Sequence, residues 1–199
     1  MNDNTNPDSL LRRHRLTLTV VMLLLGLSLG GEPLREMLRY ERVAVLEHHE
    51  YWRLLTAHLV HGSWQHTWLN LAGLLLLSML FRATYRCWQW ALITLIAALS
   101  IDLGLMYLMP QLLWYVGLSG VLHGILAAGA VAWWRIESTA MATALTCILI
   151  GKLSWEQWQG ALPLSGDLPV IVNAHLYGAV GGLVIALMLV NQLPMRKRD

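Results

Sequence analysis

Apolar residues in this chain gather into six long runs, roughly 16–31, 61–81, 88–109, 119–134, 138–153 and 169–193, separated by shorter polar stretches. Long, nearly charge-free stretches of this kind place the chain in the membrane class. A helix that crosses a bilayer needs about 20 residues. Two of the runs, 119–134 and 138–153, look short against that length. A short spanning helix is tolerated where one end sits in a protein-lined cavity, which suggests that residue 119 begins below the membrane surface. Between the runs, 32–60 reads as a long outer loop and 154–169, with its Trp, Glu, Gly, Pro and Asp, as a flexible outer connection. No internal repeat or low-complexity linker interrupts the pattern, so the expectation is one all-α membrane domain over 1–199 with short tails at about 1–14 and 194–199.

Composition sharpens this reading. Hydrophobic residues make up 56% of the 199 and charged residues 13%, with a mean hydropathy of +0.51; a soluble domain carries about 25% charged residues. The net charge of +2 gives no argument for nucleic acid. The basic residues cluster at the ends of the apolar runs, where they report topology. With a cytoplasmic N-terminus and six spans, nine Lys and Arg fall inside and five outside, in keeping with the positive-inside rule. Trp52, Trp64, Trp114, Trp155 and Trp158 then lie near the outer ends, as interfacial tryptophans do. The polar, then basic N-terminus followed by an apolar run resembles a signal peptide, but further spans follow and no A-x-A-like cleavage site is evident. It is read as a retained first helix. The two cysteines, Cys87 and Cys147, show neither disulfide nor metal-ligand spacing.

Polar groups at membrane depth are costly, about 2.5–3.5 kcal/mol for a central charge on insertion scales. Those at the outer ends of runs two, four and six therefore need a reason. Ser119 lies in GLSG, Gly117 to Gly120, at the start of an apolar helix. Glycine permits close backbone approach, and a helix N-terminus offers unpaired N–H groups suited to an oxyanion. A helix-capping serine would show the same local pattern. His175 lies in AHLYGAVGG, where Gly178 and Gly182 form a small-x-x-x-small pattern that lets two helices pack closely. A neutral histidine there can take a serine proton and pass it to a leaving amine, or merely bond a backbone carbonyl between helices. In the segment His61-x4-His66-x3-Asn70, His66 and Asn70 share one helical face and both can donate to a developing oxyanion. His61, ahead of Gly62 and Ser63, is expected to brace the outer loop.

Taken together, Glu50-x-Trp52-Arg53, His61-x4-His66-x3-Asn70, Gly117-x-Ser119-Gly120 and Ala174-His175-x2-Gly178-x3-Gly182 resemble the rhomboid family in order and placement, over about residues 12–195. The resemblance implies a six-transmembrane-helix bundle and an intramembrane serine protease with a Ser–His dyad, Ser119 and His175, and no carboxylate. It also implies an oxyanion hole from His66, Asn70 and the Ser119 N–H, and a structural role for Arg53 in the outer loop. Many rhomboids carry a tyrosine four residues after the nucleophile; here that position is His123. His123 shares a helical face with Ser119 and could orient His175, bond to it, compete as the base, or pack against it as the tyrosine does. The histidine, the small size and the GLSGVLHG string look like the rhombosortase subgroup. That likeness implies membrane-anchored substrates with a C-terminal tail: a Gly-Gly-containing motif, one membrane helix and a basic end. It also implies a bacterial inner membrane, with both termini cytoplasmic and the active site opening toward the periplasm. No cofactor, metal or nucleic acid is called for.

Two other classes compete. A non-catalytic rhomboid-like protein that binds membrane clients would be expected to lack the serine or the base. A small transporter using the histidines as a proton relay would be expected to show an inverted repeat or paired broken helices, and embedded acids are scarce apart from Asp102. Convergence of His61, His66, His123 and His175 on a metal lacks a closer ligand motif such as H-E-x-x-H.

Overall fold

The computed structural model describes residues 7–161 and 170–193. Among the described residues there are six long helices: α1 (Pro7–Leu29), α5 (Trp64–Leu80), α6 (Cys87–Leu108), α7 (Ser119–Ile136), α8 (Thr139–Gln159) and α9 (Val172–Leu189), the last continued by a 3-10 turn at Val190–Gln192. Between α1 and α5 lie three short helices, α2 (Gly31–Leu38), α3 (Arg42–Leu46) and α4 (Trp52–Thr56), and a strand, β1 (Tyr40–Glu41), which pairs antiparallel with β2 (Trp114–Tyr115). The stretch 32–60 is therefore a folded cap rather than a loop.

Local chemistry accounts for several boundaries. Ser63 caps α5 by accepting from the His66 N–H at 3.1 Å, and Ser138 caps α8 by accepting from the Met141 N–H at 3.2 Å. Helix α8 runs 21 residues and ends at Gly160, whose φ of +84° suits a residue without a side chain. Two expectations fail here. The run 138–153 is not short, and the first residues of the supposed connection 154–169 are helix; residues 162–169 lie outside the described residues, as do the ends 1–6 and 194–199. Glu156 and the tryptophans around it read as loop in sequence because they break the apolar pattern.

Helix α7 is central, buried along most of its length, and packs most closely on α9; α6 lies against both, α8 against α7, and α5 against α1 and α7. One core cluster gathers Leu24, Leu71, Ile101, Val121, Leu145 and Ala174 from all six long helices. Outward faces carry exposed Met22, Leu76, Met79, Leu103, Ile148, Leu187 and Met188. Such faces are costly in water and suited to lipid. Helix α6 and the segment Val172–Gln192 are each long and apolar enough to cross a bilayer, and α1 and α2 meet at a bend of 113°.

Candidate active site

Glycine decides how α7 and α9 meet. A β-carbon added to Gly178 would lie 2.0 Å from the Gly120 carbonyl oxygen, and one on Gly182 would lie 2.1 Å from that of Gly124. From the other side, a β-carbon on Gly120 would come 2.7 Å from the Ala174 oxygen and one on Gly124 2.7 Å from that of Gly178. Backbone thus rests on backbone along a four-residue repeat, the close approach that small residues allow. Ser119 opens one side of this seam and His175 sits beside Ala174 on the other.

The result is a contact between chain segments 56 residues apart: Ser119 Oγ lies 2.9 Å from His175 Nε2. The opposite ring nitrogen, Nδ1, lies 2.9 Å from Glu156 Oε2 on α8, and the second carboxylate oxygen faces Lys152 Nζ at 2.5 Å, one turn back on the same helix. His175 is 5% exposed and Glu156 3%. A carboxylate can only accept, so Nδ1 is the donor to Glu156. In a neutral ring Nε2 is then the lone-pair nitrogen and accepts from the serine hydroxyl. The same stretch of protein falls within one family model: residues 48–192 match that of the rhomboid domain.

The chain belongs to the rhomboid family.

None of the curated proteins matches the chain. Rhomboid proteins are intramembrane serine proteases, and the family together with the apolar helices makes this chain a membrane protein. Within this rhomboid domain, Ser119, His175, His66, Asn70 and His123 all line one cavity of about 320 Å³, together with Glu156 and Lys152. Its remaining wall is apolar, with Leu69 and Leu76 of α5 and Leu122 and Leu126 of α7. Leu69 and Leu76 are exposed, so the cavity reaches the lateral surface of the bundle.

Gly117 holds the entrance to α7. Its φ of +123° is a conformation that side chains disfavour, and a β-carbon there would meet His66 Cε1 at 2.7 Å and Nε2 at 2.9 Å. The His66 ring therefore lies directly over the backbone that leads into Ser119. Its Nδ1 accepts from the Gly62 N–H at 3.4 Å, which leaves the proton on Nε2, the edge near Gly117. Asn70, 3% exposed, donates from Nδ2 to the His66 carbonyl at 2.9 Å and keeps its second N–H, while its Oδ1 is buried without a partner among the described residues. Leu118 precedes α7 without a side-chain cap, so the first-turn N–H groups, that of Ser119 included, have no acceptor within the helix.

The cap fixes this arrangement from outside. The Gly117 N–H donates to the Ala57 carbonyl at 2.9 Å, the Tyr115 hydroxyl donates to the Gly117 carbonyl at 2.9 Å, and Tyr40 pairs with Tyr115 across β1 and β2. Burial raises Tyr115 above the ordinary tyrosine range. Arg53 holds the cap together: it pairs with Glu50 and donates to the carbonyls of Glu36, at 2.7 Å, and Arg39, at 3.0 Å. His61 stands edge-on to His66, ring centroids 5.0 Å apart, and lines a second, smaller cavity under α2 with Arg35 and Ser63. It is away from the cavity that holds Ser119.

His123 stacks on His175, centroids 4.2 Å apart and planes 15° from parallel, and its Nδ1 lies 2.7 Å from the Ser119 carbonyl oxygen. The ring is anchored to backbone and offers a face, not a nitrogen, to His175. The ligand atoms of His123, Glu156 and His175 lie within 4.8 Å of one another, but near-parallel rings direct their lone pairs along parallel planes, a poor fit to one shared ion. His61 and His66 contribute no ligand atom to that close group.

Two acidic partners escaped the sequence reading. The resemblance implied a base without a carboxylate, whereas the structure sets Glu156 against His175. The lysine four residues before it, within a helix rather than a loop, was the available signal. Asp102, noted only as an isolated acid, is buried with His58, Nε2 to Oδ1 at 3.2 Å, and His58 meets Tyr115 edge-on at 5.7 Å, directly beneath the strand that leads to Gly117.

Proposed function

We propose that this rhomboid is an active intramembrane serine endopeptidase in which Ser119 is the nucleophile and His175 the general base. The observation that carries the reading is the 2.9 Å contact between Ser119 Oγ and His175 Nε2 inside a cavity open to the side of the bundle. All six long helices would span the bilayer, with both termini cytoplasmic and the cavity near the periplasmic surface of a bacterial inner membrane. The Lys and Arg distribution supports this orientation.

A substrate segment enters past Leu69 and Leu76 and unwinds beside Ser119. The Ser119 oxygen attacks the scissile carbonyl carbon while Nε2 of His175 takes the hydroxyl proton. The tetrahedral oxyanion is met by the Ser119 N–H, His66 Nε2–H and the free Asn70 N–H, and loss of one such donor costs about 2.7–4 kcal/mol of transition-state stabilisation. His175 passes its proton to the departing amine, leaving an acyl group on Ser119. Water, deprotonated at Nε2, then attacks the ester carbonyl, and the carboxylic product leaves as the serine regains its proton. His123 serves as the platform for the base in place of tyrosine. That histidine is also what supports the narrower, rhombosortase-like reading: substrates anchored by a C-terminal tail with a Gly-Gly motif, one membrane helix and a basic end.

Two measurements test these levels separately. A fluorophosphonate probe should label the wild-type protein and leave Ser119→Ala unlabelled; equal labelling of the two removes the protease reading and favours a client-binding role. Co-expression with a Gly-Gly-tailed reporter should release the reporter with wild type and not with Ser119→Ala. A labelled enzyme that sheds no reporter keeps the protease and loses the substrate class.

A further inference from the structure

The wall of the cavity formed by α8 carries a carboxylate that a two-residue mechanism leaves without a task. Glu156 lies in the last turn of α8, 3% exposed, with one oxygen on His175 Nδ1 and the other on Lys152 Nζ. Burying an acid at that position costs several kcal/mol unless it is paired and bonded, and both its oxygens are occupied. We propose that Glu156 is a positioning residue that completes a Ser119–His175–Glu156 relay, with Lys152 holding the carboxylate in its ionised form. The proposal rests on the reading of Ser119 and His175 as nucleophile and base.

Three observations converge on it. Imidazole can carry its single proton on either nitrogen, and only the Nδ1–H form leaves Nε2 able to accept from Ser119; an acceptor-only partner at 2.9 Å selects that form. Stacking of His123 on one face of the ring fixes its plane but not its rotation within that plane, which the Glu156 contact supplies. Once Nε2 takes the serine proton the ring is a cation, and a carboxylate on its far edge stabilises that charge where both groups are buried. No proton need pass to Glu156. The Nδ1–H stays on the ring throughout, and the proton moved is the one shuttled between Ser119, Nε2 and the leaving nitrogen.

The test uses the full-length protein in detergent or nanodiscs and the fluorophosphonate probe, with the maximal labelling rate and the half-saturating probe concentration measured separately. An amide in place of the carboxylate can donate to Nδ1 and select the wrong ring form. Glu156→Gln should therefore lower the maximal rate by roughly 10²–10⁴-fold while half-saturation changes little. Glu156→Asp should recover part of the loss. In a His175→Ala background Glu156→Gln should change the residual rate no further, because residues acting as one unit are not additive. A merely structural role would reduce the folded fraction and would act alike in both backgrounds. Wild-type rates in folded Glu156→Gln, or an equal fold-loss with and without His175, overturn the proposal. A readout that needs no Glu156 variant is the strongly deshielded Nδ1 proton signal, expected in wild type and Ser119→Ala and absent from His175→Ala; its absence from folded wild type also overturns it. Failure of wild type to label above Ser119→Ala would instead strike the protease reading itself, and the relay with it.

Discussion

Replacing Gly178 with alanine isolates the seam from the chemistry, because the substitution touches neither Ser119 nor His175. The added β-carbon would sit 2.0 Å from the Gly120 oxygen, and real contacts of this kind do not fall below 3.0 Å. The obstacle is backbone on a helix packed on several sides, so α9 must move from α7 by about 1 Å. A shift of that size carries the 2.9 Å Ser119–His175 contact past hydrogen-bond reach. Displacing a catalytic group by 1 Å costs about 10²-fold in rate, and overpacking a close interface costs about 1–3 kcal/mol in stability. Gly151 on α8 is the control, since a β-carbon there meets nothing within 4 Å. Fluorophosphonate labelling rates and thermal unfolding in the same detergent measure both effects. Gly178→Ala should label about 100-fold more slowly and melt earlier, with Gly151→Ala close to wild type. Gly178→Ala that labels and melts as wild type would refute the argument that this seam sets the Ser119–His175 distance.

Other expected outcomes are simpler. Gly117→Ala combines a disfavoured φ with a β-carbon 2.7 Å from the His66 ring, so labelling should fall at least about tenfold with the helices intact by circular dichroism. His123→Ala removes the face on which His175 rests and should slow labelling, whereas His123→Tyr should restore it; a dead His123→Ala beside an active His175→Ala would instead make His123 the base. His58→Ala leaves the buried Asp102 carboxyl without its hydrogen-bond partner and should cost about 1–3 kcal/mol in denaturant unfolding in micelles. The His58→Leu, Asp102→Leu double variant should recover much of that loss.

The parts of this molecule legible in the sequence are those that a single helix writes on its own surface. Apolar runs mark the six long helices, the four-residue spacing of Gly178 and Gly182 marks a close-packing face, and the spacing of His66 and Asn70 places them on one side of α5. Partner choice across the bundle was not legible in the same way. Glu156 interrupts its apolar run together with Trp155, Lys152 and Gln157, so local pattern reads the end of α8 as a loop. Only the fold shows that two of them, Lys152 and Glu156 one turn apart, face the cavity that holds His175. Likewise Asp102 and His58 are separated by 44 residues and by an entire helix, and nothing periodic links them. The cap is hard to read for a different reason. Its helices are too short to print a hydrophobic period, and Arg53, Thr56 and Tyr115 hold it through backbone carbonyls, which carry no sequence signal.

Two embedded acids therefore bear on how this rhomboid tolerates its own polarity. Asp102 and Glu156 sit on different helices, yet each touches a histidine, and each pair lies at the end of the bundle where Ser119 begins α7. An isolated charge would favour leaving that environment. A charge that accepts from an imidazole and, for Glu156, from a lysine as well is held by the groups whose orientation it sets. On the α6 side the pair braces His58 against Tyr115 and so supports the strand before Gly117. On the α8 side the pair orients the ring that faces Ser119. The serine is thus approached from two directions by polar contacts that each begin at a buried carboxylate. Separate losses on neutralising either acid should follow different signatures: stability for Asp102→Leu, with its effect on labelling following the folded fraction, and labelling rate without loss of fold for Glu156→Gln.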